Sequence, residues 1–327
     1  MDKEKFFKLL KSRNVPEDKF EAVWESASQF EAYLEEQGRL ESPSAADVNA
    51  YSEKLIAAGD NRWDNYFPVA QYARYRGNNE MLVAIIELVD GSEVMDNLFA
   101  VLEKEAGEAV RDQVFAGIEL PPLGTTSAKK PALTQKVMER FEALVDAGIR
   151  DKILSACLRS LPEEMHSEAR QEYLSSESLE AFLQAKGDAF IAELEELRDE
   201  NKLYFTQPIT DEVIDFVELT PEIRQGRLEG DVIYEAKIPY MTVEYLAETD
   251  PLMKHFYYCH CPWVREAIPT GEVEISPEFC KCSAGFHAKY WEAAFGQPLT
   301  VEVVETVLKG DSWCKFAIHL PQEAKVL

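Results

Sequence analysis

Five of the six cysteines (Cys259, Cys261, Cys280, Cys282, Cys314) and four of the five histidines (His255, His260, His287, His319) lie between residues 255 and 319. Thiolates and imidazoles gathered this way point to a bound transition metal or to a reactive thiol. Only Cys157 and His166 fall elsewhere, and Cys157, among Ile153, Leu154, Leu158 and Leu161, is expected to be a small buried hydrophobe. Residues 255–261 read as a strand, whose period of two points the sulfurs of Cys259 and Cys261 to one face and His260 to the other. If the strand instead ends at a helix opening at Pro262, Cys261 is its cap and the helix dipole favours the thiolate.

Ser276-Pro277-Glu278 is a helix start. On that helix Cys280 and Cys282 stand about 200° apart and share an ion only if the helix begins late. Cys280, Ala284, His287 and Trp291 form one stripe; Cys282, Gly285, Phe286 and Lys289 form the next. On the last hairpin Glu305 shares a face with Val301, Val303 and Val307. Pairing of Leu308 with Trp313 makes Glu305 a diagonal neighbour of Cys314, while His319 falls on the opposite, outer face.

The expected metal set is therefore drawn from Cys259, Cys261, Cys280, Cys282, His287, Glu305 and Cys314, holding zinc or another thiolate-binding transition metal. Tyr258, Trp263, Phe286 and Tyr290 are candidates to line a small apolar pocket beside it. Four protein ligands close a tetrahedral zinc and make a binding centre. Three leave a place for a water that attacks a small heterocycle or amide-like substrate, with Glu305 or Glu266 as base. A thiol version uses Cys261 as nucleophile and His260 or His287 as base. No HExxH, GxSxG or Walker motif is present.

The elements that must position these groups come in three parts. Residues 1–120 read as an acidic helical domain, with helices ending at Gly38, Gly59 and the turn Gly77-Asn78-Asn79, a further one carrying Met81 to Val89, and the last running from Val94 to Ala116. ELPPLGTTSAKKPAL, residues 119–133, reads as a linker. Residues 121–202 continue as helix, the last one long and solvent-facing, suited to packing or to a homodimer. From 203 to 327 the texture becomes α+β. Strands are expected at 203–205, 213–217, 232–238, 255–261, 299–308 and 313–320, with helices at 242–248 and 276–295.

The formal charge is −26, with 14 acids and 8 bases in residues 231–327 and 46 acids and 26 bases before them. That field repels phosphate backbones and anionic lipid, so neither nucleic acid nor membrane is an expected partner. The start, MDKEKFFKLLKSR, lacks the apolar run of a signal peptide, and no stretch approaches the ~18 apolar residues of a membrane span. A cytoplasmic protein with reduced thiols is expected.

Two resemblances add to this. The pattern FEAYLEEQGRLESPSAADVNAYSEKLIAAG…YARYRGNNEM resembles the SAM-like helical domain that opens tyrosine recombinases. No catalytic arginine-histidine-tyrosine set follows, and residues 15–90 hold 15 acids against 6 bases, so it carries no function across. FCKCSAGFHAKYWEAAFGQPLTVEVVETVLKGDSWCKFAIHLP resembles the C-terminal half of 4-vinyl reductase domains and the related L-2-amino-thiazoline-4-carboxylic acid hydrolase-like proteins, over roughly residues 230–321. The resemblance implies a vinyl-reductase-like α+β fold with a small antiparallel sheet and a small-molecule ligand. It also implies a zinc site carried onto Cys282, Glu305, Leu308 and Cys314. Leu308 cannot ligate, which leaves Cys259 or Cys261 to complete the set.

Overall fold

The computed structural model describes residues 1–158, 166–322 and 324; Leu161, expected beside Cys157, lies outside them. The chain forms two compact units, Met1–Ser92 with Leu120–Lys130, and Glu93–Glu119 with Pro131–Leu327. This division differs from boundaries at 120 and 202. A helical N-terminal region is followed by an α+β C-terminal part. Among the described residues no helix is long and apolar enough to cross a membrane.

The first unit is built from α1 (Lys3–Ser12), α2 (Phe20–Glu36), α3 (Ala45–Ala58), α4 (Trp63–Tyr75) and α5 (Asn79–Val89). Their ends follow the local chemistry: Ser44 and Asp47 close a capping box on α3, and Asn78 accepts from the Met81 N–H at the start of α5. Phe30 packs edge-on against Tyr51 and Tyr72 in the core. The stretch expected to be a linker is tied down instead. Ser52 Oγ donates to the Gly124 carbonyl at 2.9 Å and Tyr66 Oη to that of Leu123 at 3.2 Å. Gly124 sits at φ +91°, and a Cβ there would lie 1.8 Å from Tyr66 Oη, so only glycine serves.

The second unit begins with α6 (Val94–Ala106) and α7 (Glu108–Val114). The single helix expected here is broken at Gly107, whose φ of +91° no helix accommodates. There follow α8 (Pro131–Leu144), α9 (Ala147–Ser155), α10 (Ser167–Ser175) and α11 (Leu179–Asp199). α11 buries Phe182, Leu183, Ile191 and Leu194 in this unit's own cores. A two-stranded ribbon, β1 (Leu203–Tyr204) and β2 (Gln207–Pro208), leads into α12 (Asp211–Glu218) and α13 (Pro221–Arg224).

Residues 213–217, expected as a strand, are thus helical. Thr210 caps α12 by accepting from Val213 N–H, and Asp211 and Glu212 occupy its first turn. Val213, Ile214 and Val217 then fall on one buried face. Capping and dipole outweigh the strand preference of branched residues.

The main sheet is antiparallel, in the order β3 (Arg227–Glu229), β4 (Val232–Ala236), β6 (Lys315–His319), β5 (Val301–Glu305). Between β4 and β5 the chain makes α14 (Thr242–Ala247), α15 (Pro251–Tyr258) and α16 (Lys281–Phe295). Residues 255–258 therefore belong to a helix and not to a strand. Asp250 caps it by accepting from Met253 N–H, and Pro251 is its first residue. Three β-prone residues, Phe256, Tyr257 and Tyr258, are overruled by the cap before them.

α16 lies on the sheet through Ala284, Trp291 and Phe295, which join Ile233, Phe316 and Ile318 in one core. Its other side meets α9 so closely that a Cβ on Gly285 would lie 1.7 Å from the Ser155 carbonyl oxygen.

Candidate functional site

Strand register brings the thiols to one end of the sheet. Ala236 pairs with Lys315, and Lys315 with Glu305. Lys237, Cys314 and Thr306 are the next residues along the three strands, beyond that end. The segment after α15 is fastened there too. Met241 N–H donates to the Tyr257 carbonyl at 2.9 Å, and Tyr258 Oη donates to the Lys237 carbonyl at 2.5 Å. Cys259 and Cys261 consequently enter the same region on a loop, not on the face of a strand. The Cys261 carbonyl accepts from Val264 and Arg265 N–H and opens a turn into a short 3-10 helix, Arg265–Ala267.

Cys280 arrives from the opposite side. Ser276 caps a 3-10 turn, Pro277–Cys280, and the α-helix proper starts only at Lys281. This late start frees Cys280 from the helix face. The hydroxyl of Thr306 lies 3.1 Å from its sulfur and 3.9 Å from that of Cys314, which donates to it.

Cys259, Cys261, Cys280 and Cys314 form an electrostatically connected group. Burial pushes the Cys259 thiol up to about 12, with Cys314 adding to the rise. Burial also raises Cys280, followed by Cys314, Cys259 and Cys261 as neighbours. Cys261 rises through burial and then through Cys259 and Cys282. Opposing these shifts, backbone N–H groups of Cys261, Trp263 and Val307 act on the sulfurs of Cys259, Cys261 and Cys314. The Lys237 ammonium acts on Cys259, Cys261, Cys282 and Cys314. These contributions do not reverse the net direction, which is upward for all four sulfurs. Among the described residues no three His, Cys, Asp or Glu side chains are drawn close enough to hold an ion as they stand.

Other expected site residues have different surroundings. Cys282 is buried, with its thiol raised first by Cys157 and next by burial, and it acts in turn on Cys261. Glu305 is committed to structure: Trp313 Nε1 donates to it at 2.7 Å, and Lys315 forms its ion pair. The expected hairpin register is corrected as well. An irregularity between Val303 and Glu305 sets Phe316 opposite Val303, and Val307–Lys309 forms a 3-10 turn in place of further strand. Leu308 lies in that turn and Glu266 in the 3-10 helix after Cys261.

His260 donates Nε2–H to the Ile238 carbonyl at 2.7 Å, and burial, aided by Lys237, drops its pKa to about 3. Of the pocket candidates, Tyr258 and Trp263 are buried, Phe286 is exposed, and Tyr290 packs against the edge of Trp291.

His287 belongs to a cluster invisible as a motif. Its Nδ1 lies 2.9 Å from Glu235 Oε2, which also accepts from Trp291 Nε1 at 3.0 Å, while Lys186 Nζ pairs with Oε1 at 2.7 Å. Burial alone would raise the Glu235 carboxyl, yet Lys186 and His287 hold it well below the usual range. An ionised carboxylate only accepts, so Nδ1 carries the proton and Nε2 presents its lone pair. That Nε2 is buried and has no hydrogen-bond partner. Burial outweighs Glu235 and keeps the imidazole neutral-leaning, its pKa below the ordinary value. The sequence signal was available: Glu235 shares the buried face of β4 with Ile233. Lys237 and Thr306 left none, because only the register places them beside sulfur.

No protein-family model, no curated protein and no solved structure matches this chain.

Proposed function

We propose that the protein binds zinc, or another thiolate-preferring transition metal, through Cys259, Cys261, Cys280 and Cys314, and captures a small apolar or heterocyclic molecule beside it in a vinyl-reductase-like C-terminal domain. The observation that carries this reading is that four thiols from a loop, a helix start and a hairpin lie near enough to act on one another, with the Thr306 hydroxyl 3.1 Å from Cys280 and 3.9 Å from Cys314. Four thiolates fit a tetrahedral ion chemically, with sulfurs about 2.3 Å from it. The side chains must turn toward one another to reach that distance. Lys237 and Arg265 offset part of the negative charge such a centre gathers.

Metal analysis of purified protein is expected to find roughly one ion per chain, the number that four thiolates saturate. Cys259→Ser, Cys261→Ser, Cys280→Ser and Cys314→Ser each lower that content, and Cys282→Ser leaves it unchanged. A metal-free wild type that takes up none from added zinc or cobalt sinks the proposal.

One observation favours a second reading, hydrolysis of a small heterocycle or amide. His287, oriented by Glu235, has one nitrogen held and the other unpartnered, the pairing a general base needs once a substrate reaches that buried atom. Turnover of an amino-thiazoline carboxylate that disappears in His287→Gln, with metal content intact, selects this reading over capture.

A further inference from the structure

The first unit contains a cleft of about 220 Å³ that the thiol centre does not use. Its walls are apolar, from Trp63 and Phe67 on α4 and Ile86 and Val89 on α5. Arg13, just past α1, and Arg74 on α4 both line it. In residues 1–90, with 17 acids against 11 bases, each arginine has carboxylates to choose from. Neither guanidinium is paired with one among the described residues, and the charge acting on half-buried Arg74 is that of Arg13, which with burial lowers its pKa. Two like charges facing a partly desolvated cleft destabilise the unit unless an anion joins them.

A third feature points to a ligand independently. Gln71 lines the same cleft, is 2% exposed, and its Oε1 has no hydrogen-bond partner. Turned either way, the amide leaves one polar group unanswered at a cost that a ligand substituent removes.

We infer that this cleft binds a small aromatic carboxylate, the acid group between Arg13 and Arg74, the ring among Trp63, Phe67 and Val89, and a polar ring substituent on Gln71. Arginine takes a carboxylate bidentately, and an aromatic ring suits the aromatic and branched walls. The volume equals roughly seven waters at about 30 Å³ each, which suits a single substituted ring. This ligand is separate from the one proposed for the C-terminal domain.

Calorimetric titration of the full chain with 4-hydroxyphenylacetate tests it. Binding is expected to weaken at least tenfold for the neutral 4-hydroxyphenylacetamide and at least tenfold in Arg74→Gln. Arg13→Gln, at an exposed position, weakens it at least threefold and serves if the Arg74 variant misfolds. Gln71→Leu raises the melting temperature and erases the preference for 4-hydroxyphenylacetate over phenylacetate. Absence of binding at millimolar ligand overturns the inference, as does an unchanged Kd in Arg13→Gln. So does inorganic phosphate competing as well as the aryl acid, or binding that vanishes in Cys261→Ser.

Discussion

His260 and His287 are the residues whose burial has the clearest consequence for pH. His260 falls to about 3 in the folded chain from an ordinary value of 6.5. A histidine depressed by folding binds its proton more readily when unfolded, so stability is complete above about pH 6.5 and declines as pH falls. At about 1.4 kcal/mol per pH unit in that window, His260 alone removes roughly 3 kcal/mol by pH 4.5. His287 shifts in the same direction. Urea unfolding at pH 7 and 4.5 is expected to show this loss, and His260→Gln, which keeps a donor for Ile238, to shrink it. Glu235→Gln has the opposite origin. It leaves Lys186 without its countercharge at a largely buried site, at a cost of about 3 kcal/mol, readable by chemical denaturation at neutral pH. An unchanged midpoint contradicts the role given to that cluster.

Among the elements, α16 decides whether the site exists. It presents Ala284, His287 and Trp291 to the sheet, Cys282 and Gly285 toward α9, and releases Cys280 at its first turn. Its position depends on the near-contact of Gly285 with the Ser155 carbonyl. Gly285→Ala gains helix propensity in isolation and still destabilises, by about 2–3 kcal/mol, because backbone must move to admit one methyl group. The displaced helix also separates Cys280 from Thr306, so the same variant takes up less zinc or cobalt than wild type. Retention of full metal content in a correctly folded Gly285→Ala protein argues that Cys280 is dispensable.

At the scale of the whole molecule, the proposed metal uptake would be linked to protonation. Thiols pushed upward by burial and by one another are protonated at neutral pH before an ion arrives. Binding must displace those protons, so affinity rises with pH. Zinc titration in buffers of different ionisation enthalpy is expected to register release of several protons per ion, fewer in Cys314→Ser. Because the thiols all belong to one compact unit, chelation is expected to reduce amide-exchange protection in residues 232–320 more than in residues 1–92. Equal loss in both contradicts the placement of the ion.

Local chemistry by itself determined the helix caps at Ser44 and Ser276, the hydrophobic stripes of α2 to α5, the strand at Val232–Ala236, and the crowding of cysteine near the C-terminus. These depend on neighbours a few residues away, which a sequence displays directly. At residues 213–217 and 255–258 the caps Thr210 and Asp250 override the strand preference of the side chains that follow them. Tertiary structure alone decided which cysteines meet. Whether Cys280 or Cys282 faces Cys314 depends on where a 3-10 turn becomes an α-helix, and on a one-residue irregularity beside Glu305. Both are settled by packing between segments remote in sequence, as is the arrival of Lys237, Thr306 and Glu235 beside groups they never neighbour along the chain.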